Sequence, residues 1–357
     1  MEMTFRWFGS KNDPIPLQNI RQIPGVAGVV TTLYDLEPGA LWPTERIRAV
    51  KSEVLAAGLK ISGIESVNIH DSIKAGLQDR DKYIETYQNT IKRLGKAGID
   101  LVCYNFMPVF DWTRSNLAKV RPDGSTVFAY DQTEIDKVDP AHMFEYMTEK
   151  ARTFVLPGWE PERLARITEL FNVYRDIDEE ALFANLKYFL EALIPTCEQY
   201  GVKLAIHPDD PAWPVFKLPR IATDKEKLLR IIGLVDSPYN GITLCSGSLG
   251  SNPQNDIPEI IRSLKGRIHF AHLRNIFHRG PGVFEETAHL SREGSLDMFE
   301  IMLALHDIGF DGPVRPDHGR DIWGERSIPG YGLYDRALGI SYLNGIEEAI
   351  VKMKKAH

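Results

Sequence analysis

Short apolar runs alternate with longer amphipathic stretches along most of the chain. In the longer stretches apolar residues recur every three or four positions, as Leu182, Leu186 and Phe189 do within 178–200, and this period predicts helices. The short runs are rich in β-branched and other apolar residues, which predicts buried strands. We predict eight strands, at residues 4–8, 28–31, 60–65, 100–105, 203–207, 241–245, 268–272 and 312–317.

Eight strands that alternate with helices predict a single (β/α)8 TIM barrel over residues 1–357. A doubly wound sheet is the main rival, but it would show a glycine-rich loop after its first strand, and the chain has none near Gly9. The spacing breaks once, between strands four and five. We therefore predict a long insertion after strand four, an inserted cap at 106–177 with a helix at 141–152 and a turn at 156–159.

Composition narrows the possible partners. The net charge of −7 and the pI near 5.9 argue against binding to nucleic acid or to a membrane surface. No apolar run approaches the roughly 20 residues that span a bilayer, and the N-terminus has no secretory pattern. Three cysteines do not suggest a disulfide framework. We expect a cytoplasmic protein with free thiols.

Four consecutive predicted strands end in His207, Cys245, His272 and Asp317. Parallel barrel strands deliver their last residues to one mouth, so these side chains should meet. Two imidazoles, a thiolate and a carboxylate form a set of divalent-metal ligands that suits Zn(II) or Fe(II) and also admits Mn(II). Each residue alone is more often structural, but four successive strand ends favour an ion site. A closed structural zinc site is less favoured because there is no Cys-x-x-Cys.

Strand alternation assigns a direction to the histidines of strand seven. His272 shares a face with Phe270, whereas His269 points the other way. We therefore predict that His272 faces the barrel interior and His269 faces outward.

Two further residues could move protons near this site. His318 follows Asp317 directly, and Tyr331 lies between two glycines on a later loop. A histidine can act as an acid or a base near neutral pH, and a phenol near a metal can have a lowered pKa. A loop-structuring histidine and a core tyrosine are the alternatives. The polar segment 284–289 is interpreted as a lid or an ordinary loop.

Several strings in the chain closely resemble the D-mannonate dehydratase family, and together they extend from Phe5 to Gly345. They are Arg6-Trp-Phe-Gly, Cys103-Tyr-Asn-Phe-Met-Pro-Val-Phe-Asp-Trp-Thr-Arg114, Ala205-Ile-His-Pro-Asp-Asp-Pro211, His272-Leu-Arg-Asn275, Glu286-Thr-Ala-His289, Arg315-Pro-Asp-His-Gly-Arg320 and Pro329-Gly-Tyr-Gly-Leu-Tyr-Asp-Arg336. The resemblance implies a TIM barrel that uses Mn(II) or Fe(II), with Zn(II) less favoured. It also implies dehydration of D-mannonate to 2-keto-3-deoxy-D-gluconate in hexuronate (glucuronate) catabolism.

The same resemblance implies roles for individual residues. His207, Cys245, His272 and Asp317 match the metal ligands, and Tyr331 and His318 match residues that handle protons, with the order of acid and base open. The residues expected to bind the sugar acid are Trp7, His70, Asn105, Arg274, Asn275 and Arg320, with Arg274 or another arginine on the carboxylate.

The alternatives are a metal-dependent sugar isomerase or epimerase on a similar barrel, and a barrel whose metal is only structural. We expect a homodimer with a small sugar-acid substrate and no nucleic-acid or membrane partner.

Overall fold

Eight parallel strands close into a barrel in the computed structural model, which describes residues 1–138 and 166–355. Strands are numbered in chain order, and the order around the barrel is β1-β12-β9-β8-β7-β4-β3-β2. The barrel strands are β1 (Glu2–Arg6), β2 (Gly28–Thr31), β3 (Lys60–Glu65), β4 (Leu101–Tyr104), β7 (Lys203–Ile206), β8 (Asn240–Cys245), β9 (Ile268–Leu273) and β12 (Pro313–Pro316). The predicted TIM barrel is confirmed.

The first strand begins two residues earlier than predicted. Glu2 pairs with Pro313 of β12 and thereby extends β1 toward its N-terminal end. At the other end the N–H of Phe8 donates to the Asp13 side chain, which takes Phe8 out of the strand.

Helices fill the connections between the barrel strands. They are α1 (Leu17–Arg21), α2 (Thr44–Ala56), α3 (Asp71–Lys74), α4 (Arg80–Lys96), α5 (Gln132–Ile135), α6 (Ile167–Tyr174), α7 (Glu179–Tyr200), α8 (Lys225–Leu234), α9 (Ser246–Gly250), α10 (Ile257–Ser263), α11 (Met298–Asp307) and α12 (Leu333–Lys355). The longest connection helix, α7, begins where the Asp178 carboxylate accepts from the N–H of Ala181 at 2.8 Å. It ends at Gly201, whose φ of 68° is left-handed.

The barrel interior contains a cluster of buried apolar side chains, namely Val30, Leu101, Cys103, Ala205 and Phe270. His272 lies on this cluster, with its ring 4.5 Å from the ring of Phe270. His269 lies on the other face of β9, and its Nδ1 is 2.7 Å from the carbonyl oxygen of Leu204. The predicted directions of the two histidines are confirmed.

An antiparallel sheet that the sequence reasoning missed stands beside the barrel mouth. The insertion after β4 forms a hairpin of β5 (Asn116–Val120) and β6 (Thr126–Asp131). This hairpin pairs with a second one, β10 (Ile276–Gly280) and β11 (Val283–Glu286), in the order β10-β11-β6-β5. Residues 284–286 are therefore strand, not lid or loop. The helix predicted at 141–152 and the turn at 156–159 lie outside the described residues.

A second apolar cluster fastens this sheet to the barrel. Phe8, Trp112, Phe128, Phe284 and Tyr331 are among its buried members. The cluster therefore joins residues from β6 and β11 to the loops that follow barrel strands. In the part of the chain that the structure describes, no helix is both long and apolar enough to cross a bilayer.

Candidate active site

The structure brings the four predicted metal ligands together at the C-terminal mouth of the barrel. Ligand atoms of His207, Cys245 and His272 all lie within 4.8 Å of one another. Asp317 joins them, with its Oδ2 3.5 Å from the sulfur of Cys245. Ligands on opposite sides of one ion, at bonds of about 2.1–2.3 Å, would lie about 4.5 Å apart, so this spacing fits a single divalent ion.

The hydrogen bonds of the two imidazoles also fit a cation. The His207 Nδ1 lies 2.7 Å from the carbonyl oxygen of Pro208, which makes Nδ1 the N–H of that ring. The His272 Nε2 lies 3.3 Å from a carboxylate oxygen of Glu65. The His207 Nε2 and the His272 Nδ1 face each other at 3.1 Å. When His272 carries its proton on Nε2, toward Glu65, both facing nitrogens present a lone pair, which is compatible with a shared positive ion.

The side chains of Asp317 and Cys245 are held in place by fixed donors. Arg315 Nη1 lies 2.8 Å from Asp317 Oδ1, and Arg274 Nε lies 3.0 Å from Asp317 Oδ2. Burial alone would raise the pKa of Asp317, but the nearby cationic groups, with Arg315 and Arg274 among them, hold that pKa well below its usual range. The hydroxyl of Ser248 donates to the sulfur of Cys245 at 3.0 Å. Both side chains are therefore oriented before any ion binds.

A second set of candidate ligands lies deeper and shares one histidine. Glu65 and Cys103 offer ligand atoms within 4.8 Å of one another and of His272. Arg315 already donates to both oxygens of Glu65, at 3.1 and 2.9 Å, and burial raises the pKa of the Cys103 thiol. The first group is therefore the more suitable of the two candidate ion sites, and Glu65 contacts both His272 and Arg315.

His318 forms a hydrogen-bonded chain with one carboxylate and one phenol. Its Nδ1 lies 2.7 Å from Oε1 of Glu286, and its Nε2 lies 2.8 Å from the hydroxyl oxygen of Tyr331. Burial would raise the pKa of Glu286, whereas the neighbouring His318 and Arg274 lower it. An ionised Glu286 can only accept, so in a neutral His318 ring Nδ1 carries the proton and Nε2 accepts from the Tyr331 hydroxyl; Nη1 of Arg274 also lies 2.9 Å from Nδ1. In this neutral form His318 presents a basic nitrogen.

The phenol of Tyr331 is neutral in this arrangement. Burial raises its pKa, and the negative charge of Asp317 raises it further, whereas Arg315 and Arg6 oppose the rise. The lowered pKa that the sequence suggested depends on a bound metal and stays a prediction. In the surroundings that the protein alone provides, the Tyr331 hydroxyl keeps its proton.

Two arginines fix Glu286 from the other side. Arg114 donates to both oxygens of Asp210, at 2.8 and 2.9 Å, and to Glu286 at 3.0 Å. Arg274 donates to Asp210 at 2.7 Å and also to Glu286. Gly247 makes room for Arg274, because a Cβ there would lie 2.2 Å from Nε.

Sequence reasoning assigned no role to Glu65, Asp210 or Glu286. The available signals were the end of predicted strand three for Glu65 and the Asp-Asp-Pro string after strand five for Asp210. Glu286 opens the string Glu286-Thr-Ala-His289, in which only the family resemblance gave a signal. Their functions depend on partners that are distant in sequence.

A cavity of about 740 Å³ opens above these residues. The predicted residues that line it are Asn105, His207, Asp317, His318 and Tyr331, and the further lining residues include Arg6, Glu65, Asp111, Trp112, Asp210 and Arg315. The rings of Phe128 and Trp112 stand 5.1 and 6.2 Å from the ring of His318. The cavity therefore combines two of the predicted metal ligands, His207 and Asp317, with the hydrogen-bonded pair His318 and Tyr331 and nearby aromatic rings.

The other residues predicted to bind substrate line other parts of the protein. Trp7 is buried in the main core. His70 stacks on Tyr83 at 3.6 Å in a smaller adjoining cavity. Asn275 donates to the carbonyl oxygens of Leu290 and Leu296.

Arg274 and Arg320 are likewise engaged with the protein itself. Arg274 has the ion pairs described above, and Arg320 pairs with Asp335 at 2.7 Å and Asp123 at 3.0 Å. Direct contact with a substrate stays a prediction for all five of these residues, namely Trp7, His70, Arg274, Asn275 and Arg320. The contacts observed for them are with other residues of the protein.

Comparisons with known proteins cover the whole chain. A family model for D-mannonate dehydratase (UxuA) matches residues 1–357. The mannonate dehydratase of Brachyspira hyodysenteriae is 66% identical over 355 residues, which are 99% of this chain and 100% of the relative. The crystal structure of mannonate dehydratase from Streptococcus suis serotype 2 is similar with a TM-score of 0.90 and 46% identity, over 99% of this chain and 96% of that chain.

A more distant structure shares the fold alone. D-psicose 3-epimerase from Clostridium cellulolyticum H10 has a TM-score of 0.55 and 12% identity, over 100% of this chain and 99% of that chain.

Proposed function

The chain belongs to the D-mannonate dehydratase family, and we propose that His207, Cys245, His272 and Asp317 hold the metal on which its activity depends. The protein is a hydro-lyase that converts D-mannonate to 2-keto-3-deoxy-D-gluconate in hexuronate catabolism. The observation that carries the metal assignment is the pair of imidazole nitrogens that face each other at 3.1 Å beside a thiol and an ionised carboxylate.

The isomerase or epimerase alternative is not favoured. The relatives at 46% and 66% identity are mannonate dehydratases, whereas the epimerase likeness, at 12% identity, concerns the fold alone.

We propose Mn(II) or Fe(II) as the ion, with Zn(II) less favoured. The family resemblance supports this choice. The ligand set is compatible with it, since imidazole suits iron and the Asp317 carboxylate suits manganese.

Dehydration requires loss of the C2 proton, stabilisation of the charge that develops and departure of the C3 hydroxyl. When bound, the ion would act as a Lewis acid that stabilises negative charge on substrate oxygens. His318 Nε2 takes the C2 proton, and Glu286 stabilises the imidazolium that forms. The Tyr331 hydroxyl protonates the departing C3 hydroxyl, which leaves as water.

The hydrogen bond between His318 and Tyr331 then resets the site. The imidazolium returns its proton to the phenolate across 2.8 Å, so both groups regain their starting states. The enol that is released becomes the 2-keto acid by taking a proton at C3. The proposed roles follow the direction of the hydrogen bonds. His318, the base, accepts from Tyr331 and donates to Glu286, and Tyr331, the acid, donates to His318.

We also propose that 106–177 caps this chemistry. Trp112 and Phe128 come from this segment, and their rings stand against His318. An aromatic wall there excludes water from the reacting groups. Asn105, which lines the cavity, is proposed to contact a substrate hydroxyl.

Removal of the metal with a chelator under anaerobic conditions should abolish formation of 2-keto-3-deoxy acid from D-mannonate. Mn(II) or Fe(II) should restore it, and Zn(II) should restore less. Cys245→Ser should lower bound metal per chain, because a neutral serine hydroxyl is a weaker ligand for a divalent ion than a thiolate. Measurements of bound metal per chain and of turnover with D-mannonate check these expectations.

His278→Gln serves as the matched control for the metal experiment. This half-buried histidine binds the carbonyl of Gly250 and lies outside the ligand set, so metal content should be unchanged. Full activity in a metal-free preparation would contradict the assignment.

Tyr331→Phe should lose dehydration by about 10²–10⁴-fold while it still exchanges the C2 proton with deuterium from solvent. His318→Asn should lose both, because the base itself is gone. NMR of D-mannonate in D₂O follows exchange, and a keto-acid assay follows dehydration. Tyr334→Phe is the control, since Tyr334 is 43% exposed. The reverse pattern would show that the acid and base roles are exchanged.

Glu286→Gln should lower kcat by about 10²-fold or more with little change in KM, because a neutral amide no longer stabilises the His318 imidazolium. Glu285→Gln is the matched control. This neighbour pairs with Lys119 at 2.8 Å and Arg279 at 2.6 Å, away from His318. The kcat and KM values of Glu286→Gln and Glu285→Gln are compared by steady-state kinetics at equal metal content. Equal kcat values for the two variants would show that Glu286 has no role in the reaction.

We further propose a homodimer in the cytoplasm. An exposed apolar surface supports the dimer: Trp323 is 74% exposed, and its ring stands 5.6 Å from that of Tyr334. Three buried free cysteines are compatible with a reducing compartment. Sedimentation equilibrium should give twice the chain mass of 40.4 kDa, and a single-chain mass would contradict the dimer.

A further inference from the structure

The substrate carboxylate needs a cationic partner at the mouth, and the arginines there are not equally available. Two arginines, Arg6 and Arg315, are among the cavity-lining residues. Arg114 and Arg274 lie behind that lining in the ion-pair network with Asp210.

Arg315 has already used its donors. Its Nε and Nη2 donate to the two oxygens of Glu65, and its Nη1 lies 2.8 Å from Asp317. A bidentate bond to a second carboxylate would require it to release one of these partners.

Arg6 is different because one of its nitrogens is not used. The residue is 4% exposed, and its Nη2 donates to the Tyr34 hydroxyl at 3.0 Å. Its Nη1 lies 3.3 Å from Glu65 but has no hydrogen-bond partner among the residues that the structure describes. A buried guanidinium nitrogen without a hydrogen bond is costly unless a ligand supplies the acceptor.

The position of Arg6 also matches the reaction. The guanidinium carbon lies 5.0 Å from the centre of the Phe8 ring, and the edge of that ring packs against Tyr331 at 4.8 Å. The carboxyl carbon of an aldonic acid is bonded directly to C2, so its anchor must lie near the groups that act on C2 and C3. Arg336 fixes the backbone at this point by donating to the Arg6 carbonyl at 3.2 Å.

We propose that Arg6 binds the carboxylate of the sugar acid and sets the preference of this site for an acid over a neutral polyol. This inference rests on the proposed function of the site. Glu65 does not cancel the charge of Arg6, because Glu65 is shared with Arg315 and lies 3.3 Å from His272. The unused Nη1 and the anchored Nη2 together offer one carboxylate a fork of donors.

The test compares D-mannonate with its neutral amide, D-mannonamide. Arg6→Met should raise KM for D-mannonate by about 10- to 100-fold, the loss expected for a charge-assisted hydrogen bond. The inhibition constant of D-mannonamide should change less than about threefold. Arg6→Lys should give a KM for D-mannonate between those of the wild type and Arg6→Met, because lysine keeps the positive charge but loses the two parallel N–H donors. Tyr34→Phe should raise KM slightly, since Nη2 loses its anchor.

Arg262→Met, at a partly exposed arginine of α10, is the control. Metal content and thermal unfolding of each variant report on folding; if Arg6→Met does not fold, the Arg6→Lys and Tyr34→Phe variants decide. If the Arg6 variants keep KM for D-mannonate within about twofold of the wild type, or lose affinity for D-mannonate and D-mannonamide equally, Arg6 does not bind the carboxylate. Such a result would leave the proposed function of the site intact. A wild-type enzyme that does not dehydrate D-mannonate would overturn the proposed function and this inference with it.

Discussion

Compensation of buried charge is the constraint on which the barrel mouth depends. Four arginines and four carboxylates form one connected network there, namely Arg6, Arg114, Arg274, Arg315, Glu65, Asp210, Glu286 and Asp317. Burial opposes ionisation of every member, yet ion pairing keeps the carboxylate pKa values low. Loss of one partner would leave an uncompensated charge, which typically costs about 3–5 kcal/mol. Each group is thus fixed by the others.

This network links the two halves of the chemistry. Asp317, a proposed metal ligand, and Glu286, the partner of His318, both contact Arg274. The metal-ligand group comes from ends of barrel strands, whereas Glu286 comes from β11 in the antiparallel sheet. The insertion after β4 contributes to this link, because its strand β6 pairs with β11, which carries the carboxylate that contacts His318.

The sequence predicted the barrel well because its signals are local. Short apolar runs gave the eight strands, and strand alternation separated His272 from His269. Turn signals at Pro122-Asp-Gly124 and Gly280-Pro-Gly282 mark the two hairpins, but the pairing of β6 with β11 could not be predicted in this way, since these strands are more than a hundred residues apart. Arg274 shows the same limit: its sequence position near His272 suggested a substrate-binding residue, which stays a prediction, whereas its partners Asp210 and Glu286 could be found only in three dimensions.

The charge count also bears on which substrate the mouth accepts. The eight network residues sum to zero, so a divalent cation with a thiolate from Cys245 would add one net positive charge to a buried site. A monoanionic sugar acid returns the total to zero, whereas a neutral sugar leaves the excess charge in a region of low dielectric. The preference for an acid is therefore a property of the whole network. Arg6 is the member that lines the cavity with a nitrogen still lacking a hydrogen bond, which makes it the point at which that preference acts on the substrate.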